Sequence, residues 1–125
     1  MNIQKLIEIS NGKLLTPSID LTREIKGGCG ADLMSDVLAS IQPEAVLMTG
    51  LCNPQVVRTA MMADVAAVVI VRGKNPALET LKLAISEGVP LISTPFGMFE
   101  MCGRLFQAGL LSMEGPVSPE DCRCD

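Results

Sequence analysis

Three short stretches of this chain combine turn-forming residues with groups able to hold an anion. Thr49-Gly50-Leu51-Cys52-Asn53, Arg72-Gly73-Lys74-Asn75 and Ser93-Thr94-Pro95 each follow an apolar run. Asn53-Pro54 and Asn75-Pro76 have the form of a helix start, with Asn as N-cap and Pro at the first helical position. Backbone N–H groups left unpaired at such a start attract negative charge. Arg72 and Lys74 add two cations beside the second start. Gly27-Gly28-Cys29-Gly30 reads as a flexible turn able to close over the three stretches. The expected contacts of a small anionic ligand, such as an adenine nucleotide or phosphate, are therefore Gly27, Gly28, Asn53, Arg72, Gly73, Lys74 and Thr94. Capping alone accounts for Asn53, Asn75, Pro54 and Pro76, but not for the basic pair or the glycine turn.

Covalent chemistry finds less support. The phosphate loop Gly-x-x-x-x-Gly-Lys-Ser/Thr is absent, so phosphoryl transfer lacks its cradle. The chain has no His, and a Cys or Ser nucleophile then lacks its commonest base. Cys52 precedes a helix start, a setting that can activate a thiol, yet no partner base is visible; it reads as a turn-filling residue. No catalytic residue is assigned, and the protein is expected not to be an enzyme. Of five Cys, none forms a Cys-x-x-Cys pair, and their odd number fits no disulfide framework. No metal site and no cofactor are expected. Cys122 and Cys124 fall in a polar tail and read as reduced thiols.

The elements that must position these groups follow from a repeated phrase. Ala45-Val46-Leu47-Met48-Thr49-Gly50-Leu51-Cys52-Asn53-Pro54 returns as Ala67-Val68-Val69-Ile70-Val71-Arg72-Gly73-Lys74-Asn75-Pro76. Each copy is a buried strand, a tight turn and a helix start, and two in succession imply a parallel sheet with crossover helices. The patterning predicts strands over 45–49, 66–71 and 89–93, and helices over 2–10, 31–41, 54–63, 77–87 and 97–107. Short strands are expected over 13–16 and 23–26. On the last helix Phe99, Cys102 and Phe106 are expected to face inward. The expectation is one α/β domain over residues 1–112, followed by a Cys-containing tail over 113–125. Open sheets of this kind bind ligands at the carboxyl ends of their strands.

The bulk properties narrow the partners. A net charge of −4 without a basic run argues against nucleic acid and anionic membranes. No apolar stretch approaches the roughly 20 residues of a membrane span, and the charged N-terminus is unlike a signal peptide. A cytoplasmic location is expected. Aromatics make up only 2% of the chain, and eight Met help to fill the core. Met61, Met62, Met98, Met101 and Phe99 exceed what two helices need for inward packing and suggest an adaptable interaction patch.

The order of motifs also resembles a known family. Gly27-Gly28-Cys29-Gly30-Ala31-Asp32-Leu33-Met34-Ser35-Asp36-Val37 is similar to the GG-x-x-x-DLLSDV opening of small stand-alone DRTGG-domain proteins. The similarity runs on through Val89-Pro90-Leu91-Ile92-Ser93-Thr94-Pro95 and Phe99-Glu100-Met101-Cys102-Gly103-Arg104-Leu105. Departures occur at Cys52-Asn53, where the family has Asp-Arg, and at Val71-Arg72-Gly73, which keeps one glycine of Thr-Gly-Gly. The resemblance implies a fold like the non-catalytic N-terminal domain of HPr kinase/phosphorylase. It implies a regulatory or sensor module that pairs as a homodimer and acts beside a metabolic enzyme. The other reading is an interaction module that binds no small molecule.

Overall fold

The computed structural model describes residues 1–114. Its strands are β1 Lys13–Leu14, β2 Gly27–Gly30, β3 Ala45–Thr49, β4 Ala67–Ile70 and β5 Leu91–Ser93, and from β2 onward strand and helix alternate. The helices are α1 Ile3–Ser10, α2 Met34–Ser40, α3 Pro54–Ala63, α4 Leu78–Glu87 and α5 Met98–Gln107. The sheet order is β1-β5-β4-β3-β2. β2, β3, β4 and β5 run parallel, and β1 is antiparallel to β5.

Because each crossover steps to the adjacent strand in the same direction, right-handed connections put α2, α3 and α4 on one face. Their apolar residues Val37, Val56, Val57, Ala60 and Ala84 bury against Leu47, Val68, Ile70 and Leu91. α1 and α5 cover the other face, where Ile3, Leu6, Met101 and Leu105 meet Val46, Met48, Val69 and Ile92. The alternation along β3 and β4 sends successive residues to the two cores, so both strands are buried throughout.

Several expectations are corrected. The segment Gly27–Gly30 is a strand, not a turn. Its glycines serve close packing: a Cβ on Gly27 would run into the Met113 side chain and stand 2.8 Å from the Leu111 carbonyl, and one on Gly30 2.9 Å from Cys102. The strand expected over 23–26 is reduced to a single bridge between Glu24 and Asn2. α4 begins at Leu78, and Asn75 does not cap it; the N-cap position is Ala77, without a side-chain cap. On α5 the inward residues are Met101 and Leu105, whereas Phe99 and Phe106 are 94% and 66% exposed.

Residues 111–114, the end of the described chain, lie along β2. Gly28 N–H donates to the Leu111 carbonyl at 2.9 Å and the Met113 N–H to the Gly28 carbonyl at 2.9 Å. The Cys29 thiol donates to the Glu114 carboxylate at 2.7 Å. Burial and that contact push the Cys29 pKa up to about 12. Cys122 and Cys124 lie outside the described residues. Among the described residues no helix is long and apolar enough to cross a membrane.

Candidate functional site

The carboxyl ends of β3 and β4 bring Gly50 and Arg72 together. Gly50 N–H donates to Asp32 Oδ1 at 2.7 Å, and the Thr49 hydroxyl to the same oxygen at 3.3 Å. Asp32 stands just beyond β2, so the register Gly30 to Met48 delivers its carboxylate to the end of β3. The Arg72 guanidinium lies over Gly50, with Nη1 3.6 Å from where a Cβ would sit. Lys74 Nζ donates to the Gly50 carbonyl at 3.0 Å. Two cations thus converge on one glycine, and among the described residues neither is in an ion pair.

The turn carrying those cations is unusual. Arg72 has φ 65° and Gly73 φ 63°, two left-handed residues in succession. That region costs a side-chain-bearing residue about 1–2 kcal/mol. The turn is held there by the loop after β5: Arg72 N–H donates to the Phe96 carbonyl at 2.7 Å and Gly73 N–H to the Thr94 carbonyl at 2.8 Å. These two N–H groups are therefore committed within the protein.

The helix starts are likewise filled. Asn53 Oδ1 accepts from Gln55 N–H at 3.1 Å, a side-chain N-cap. The Cys52 carbonyl accepts from Ala77 N–H at 3.1 Å and from the Thr80 hydroxyl at 2.6 Å, which anchors the start of α4 to the first turn. What the edge presents to a ligand is consequently the side chains of Arg72 and Lys74, more than free helix donors.

The expected site residues divide accordingly. Asn53, Arg72, Gly73 and Lys74 share one edge of the sheet. Thr94 borders it through its carbonyl, but its buried hydroxyl donates to the Ser10 carbonyl at 2.7 Å and accepts from Phe96 N–H at 3.2 Å. Gly27 and Gly28 pair with Ala45 and Val46, at the opposite end of β3; at ~3.3 Å per residue Gly27 lies roughly 13 Å from the Thr49 end. Asp32 is the residue the sequence reading missed. Its signal was its place directly after Gly30-Ala31, at the carboxyl end of a strand once 27–30 is read as one.

The DRTGG domain family model matches residues 5–108. The chain belongs to the DRTGG domain family. No curated protein matches this DRTGG domain. Among solved structures it is similar to the CBS and DRTGG domains of the regulatory region of Clostridium perfringens pyrophosphatase, complexed with the activator diadenosine tetraphosphate. The TM-score is 0.69 at 13% sequence identity, over 86% of this chain and 46% of that one. The chain thus spans about half the length of that structure, and the likeness is one of fold.

Among the described residues no cluster of three or more Cys, Asp or Glu is arranged to hold a metal ion. Cys52 is half-buried, with its thiol 3.8 Å from the Gly50 carbonyl.

Proposed function

We propose that this DRTGG domain is a non-catalytic regulatory module that senses an adenine nucleotide, with the phosphates held by Arg72 and Lys74 beside Gly50, Asn53 and Gly73. The observation that carries the reading is the convergence of two cations, unpaired among the described residues, on Gly50. The Asp32 carboxylate accepts from the Gly50 N–H and, like the Arg72 guanidinium, lies within 3.6 Å of the Gly50 Cβ position; it fixes the turn. Support comes also from the relative, whose regulatory region was crystallised with a dinucleotide activator.

A sensor needs something to act upon. The proposal includes a metabolic enzyme as partner and a homodimer as the active form. Met61 and Met62 on α3 are 44% and 74% exposed and supply an apolar surface for pairing. Met101, which sequence reasoning joined to that surface, is buried in the core.

Calorimetry of the full chain against ATP, diadenosine tetraphosphate, tripolyphosphate and inorganic phosphate is the test. Replacing both Arg72 and Lys74 by Ala should weaken nucleotide binding at least about tenfold, the usual value of charge-assisted hydrogen bonds. No binding by the unmodified protein below millimolar concentration would leave the interaction-module reading in its place. Sedimentation at tens of micromolar should find a dimer; a monomer there argues against pairing.

A further inference from the structure

The most conspicuous feature left without a task is the outer face of α5. Its inner stripe, Met101 and Leu105, accounts for the packing of the helix on the sheet. Phe99 and Phe106 form a second stripe two turns long on the solvent side. The chain has only three Phe, and this face exposes two of them. Between them Gly103 meets nothing within 4 Å of its Cβ position, so the ground between the rings is open. The third, Phe96, has Arg104 stacked on it at 3.9 Å from the ring centre.

We propose that this face is the base-binding half of the nucleotide site: the adenine lies against Phe99 and Phe106 while the phosphates reach Arg72. The inference rests on the anion-binding reading above and names the half of the ligand that reading leaves open. A groove of about 630 Å³ is lined by Arg72, Met98, Phe99, Cys102, Gly103 and Phe106. That volume lies within the usual range for small-molecule sites. Its lining is apolar and aromatic, with one cation at the end and no carboxylate. An adenine nucleotide has the complementary build, a flat π-face joined to an anion. Aromatic faces bind bases by stacking without demanding further hydrogen bonds.

Arg72 makes the two halves contiguous. The same side chain lines the α5 groove and lies over Gly50. Its left-handed backbone is held by the Phe96 carbonyl, two residues before α5 begins. The geometry therefore couples the cation turn to the start of the aromatic helix. A neighbouring cleft of about 210 Å³ at β2 is a poorer place for an anion. It is lined by the Glu114 carboxylate and by the thiols of Cys29 and Cys102, both held toward their neutral forms by burial and by that carboxylate.

The test compares ATP with tripolyphosphate by calorimetry on the full chain, for the unmodified protein and for F99A and F106A. Both Phe are exposed, so the variants should fold, as circular dichroism checks. ATP should bind more tightly than tripolyphosphate. Each Phe substitution should cost ATP about tenfold and leave tripolyphosphate unchanged. In parallel, NOEs should connect the ATP adenine H2 and H8 to Phe ring protons, and F99A and F106A should each remove part of them. If tripolyphosphate binds but the Phe substitutions leave ATP affinity unchanged, the base subsite is overturned and the anion site stands. If neither ligand binds, the anion reading fails and this inference with it. If F99A converts a dimer to a monomer while ATP affinity holds, a second copy of the chain occupies this face and the proposal is wrong.

Discussion

The turns after β3 and β4 begin with matching phrases and are held in opposite ways. The first is capped by its own residues and braced by Asp32: Asn53 caps α3, Pro54 opens it, the Thr49 hydroxyl accepts from Leu51 N–H at 3.2 Å, and the Asp32 carboxylate accepts from Gly50 N–H at 2.7 Å. It also lends its Cys52 carbonyl to α4. The second turn has no side-chain cap and passes through two left-handed residues. It borrows acceptors from the loop after β5. Capping and cation placement are thereby separated. The self-capped turn supplies rigidity, and the borrowed turn carries the cations in a conformation that a non-glycine residue adopts only at a cost.

That division is open to attack by substitution, measured as urea-unfolding stability. The largest effect is expected for D32A, which removes the charged acceptor of Gly50 N–H and of the Thr49 hydroxyl. A loss of about 2 kcal/mol follows from the value of hydrogen bonds to ionised groups. A loss below ~0.5 kcal/mol would mean that Asp32 does not secure the first turn. N53A should cost about 1 kcal/mol through the lost cap.

R72G should act in the other direction. Relief of about 1–2 kcal/mol of left-handed strain, offset by about 0.5–1 kcal/mol of extra chain entropy, leaves a gain of about 0.5–1 kcal/mol. The same variant should bind ATP more weakly, so stability and binding would move apart at one residue. An R72G protein no more stable than R72A would show that the turn carries no strain. Smallest of all, N75A should stay within ~0.5 kcal/mol, since Asn75 caps nothing. A loss equal to that of N53A would make the two turns equivalent after all.

The repeated phrase also shows how far the chain is readable before folding. Strand 45–49 and helix 54–63 have the bounds their patterns indicate, and 66–71 and 77–87 differ by a residue or so at their ends. There local propensity, apolar period and tertiary packing agree. Asn75-Pro76 misleads because Asn-Pro is equally at home in an extended approach to a helix, and the Cys52 carbonyl supplied the anchor from 25 residues away. Gly27–Gly30 misleads because three of its four residues carry no side chain, which erases the alternation that marks a strand. Its glycines answer to residues 102, 111 and 113, which no local window contains. On α5, apolar residues occupy both faces, so periodicity alone could not choose the inner one. Of the site, the cations were legible as charges in an apolar context. Asp32 was not, because its role depends on the register of a strand that had no pattern.

The segment that lies along β2 has a consequence for how this molecule meets other chains. β2 is an outermost strand, and such strands invite pairing with a neighbour. Here Gly28 already exchanges both of its backbone bonds with Leu111 and Met113, and Glu114 is held by the Cys29 thiol. At the other margin β1 is two residues long and is soon followed by Pro17. Both margins are thus blunted against strand addition. The pairing and the enzyme contact proposed above would then fall to the helical faces, where contacts form and release without continuing the sheet, and the same blunting guards against fibrous self-association.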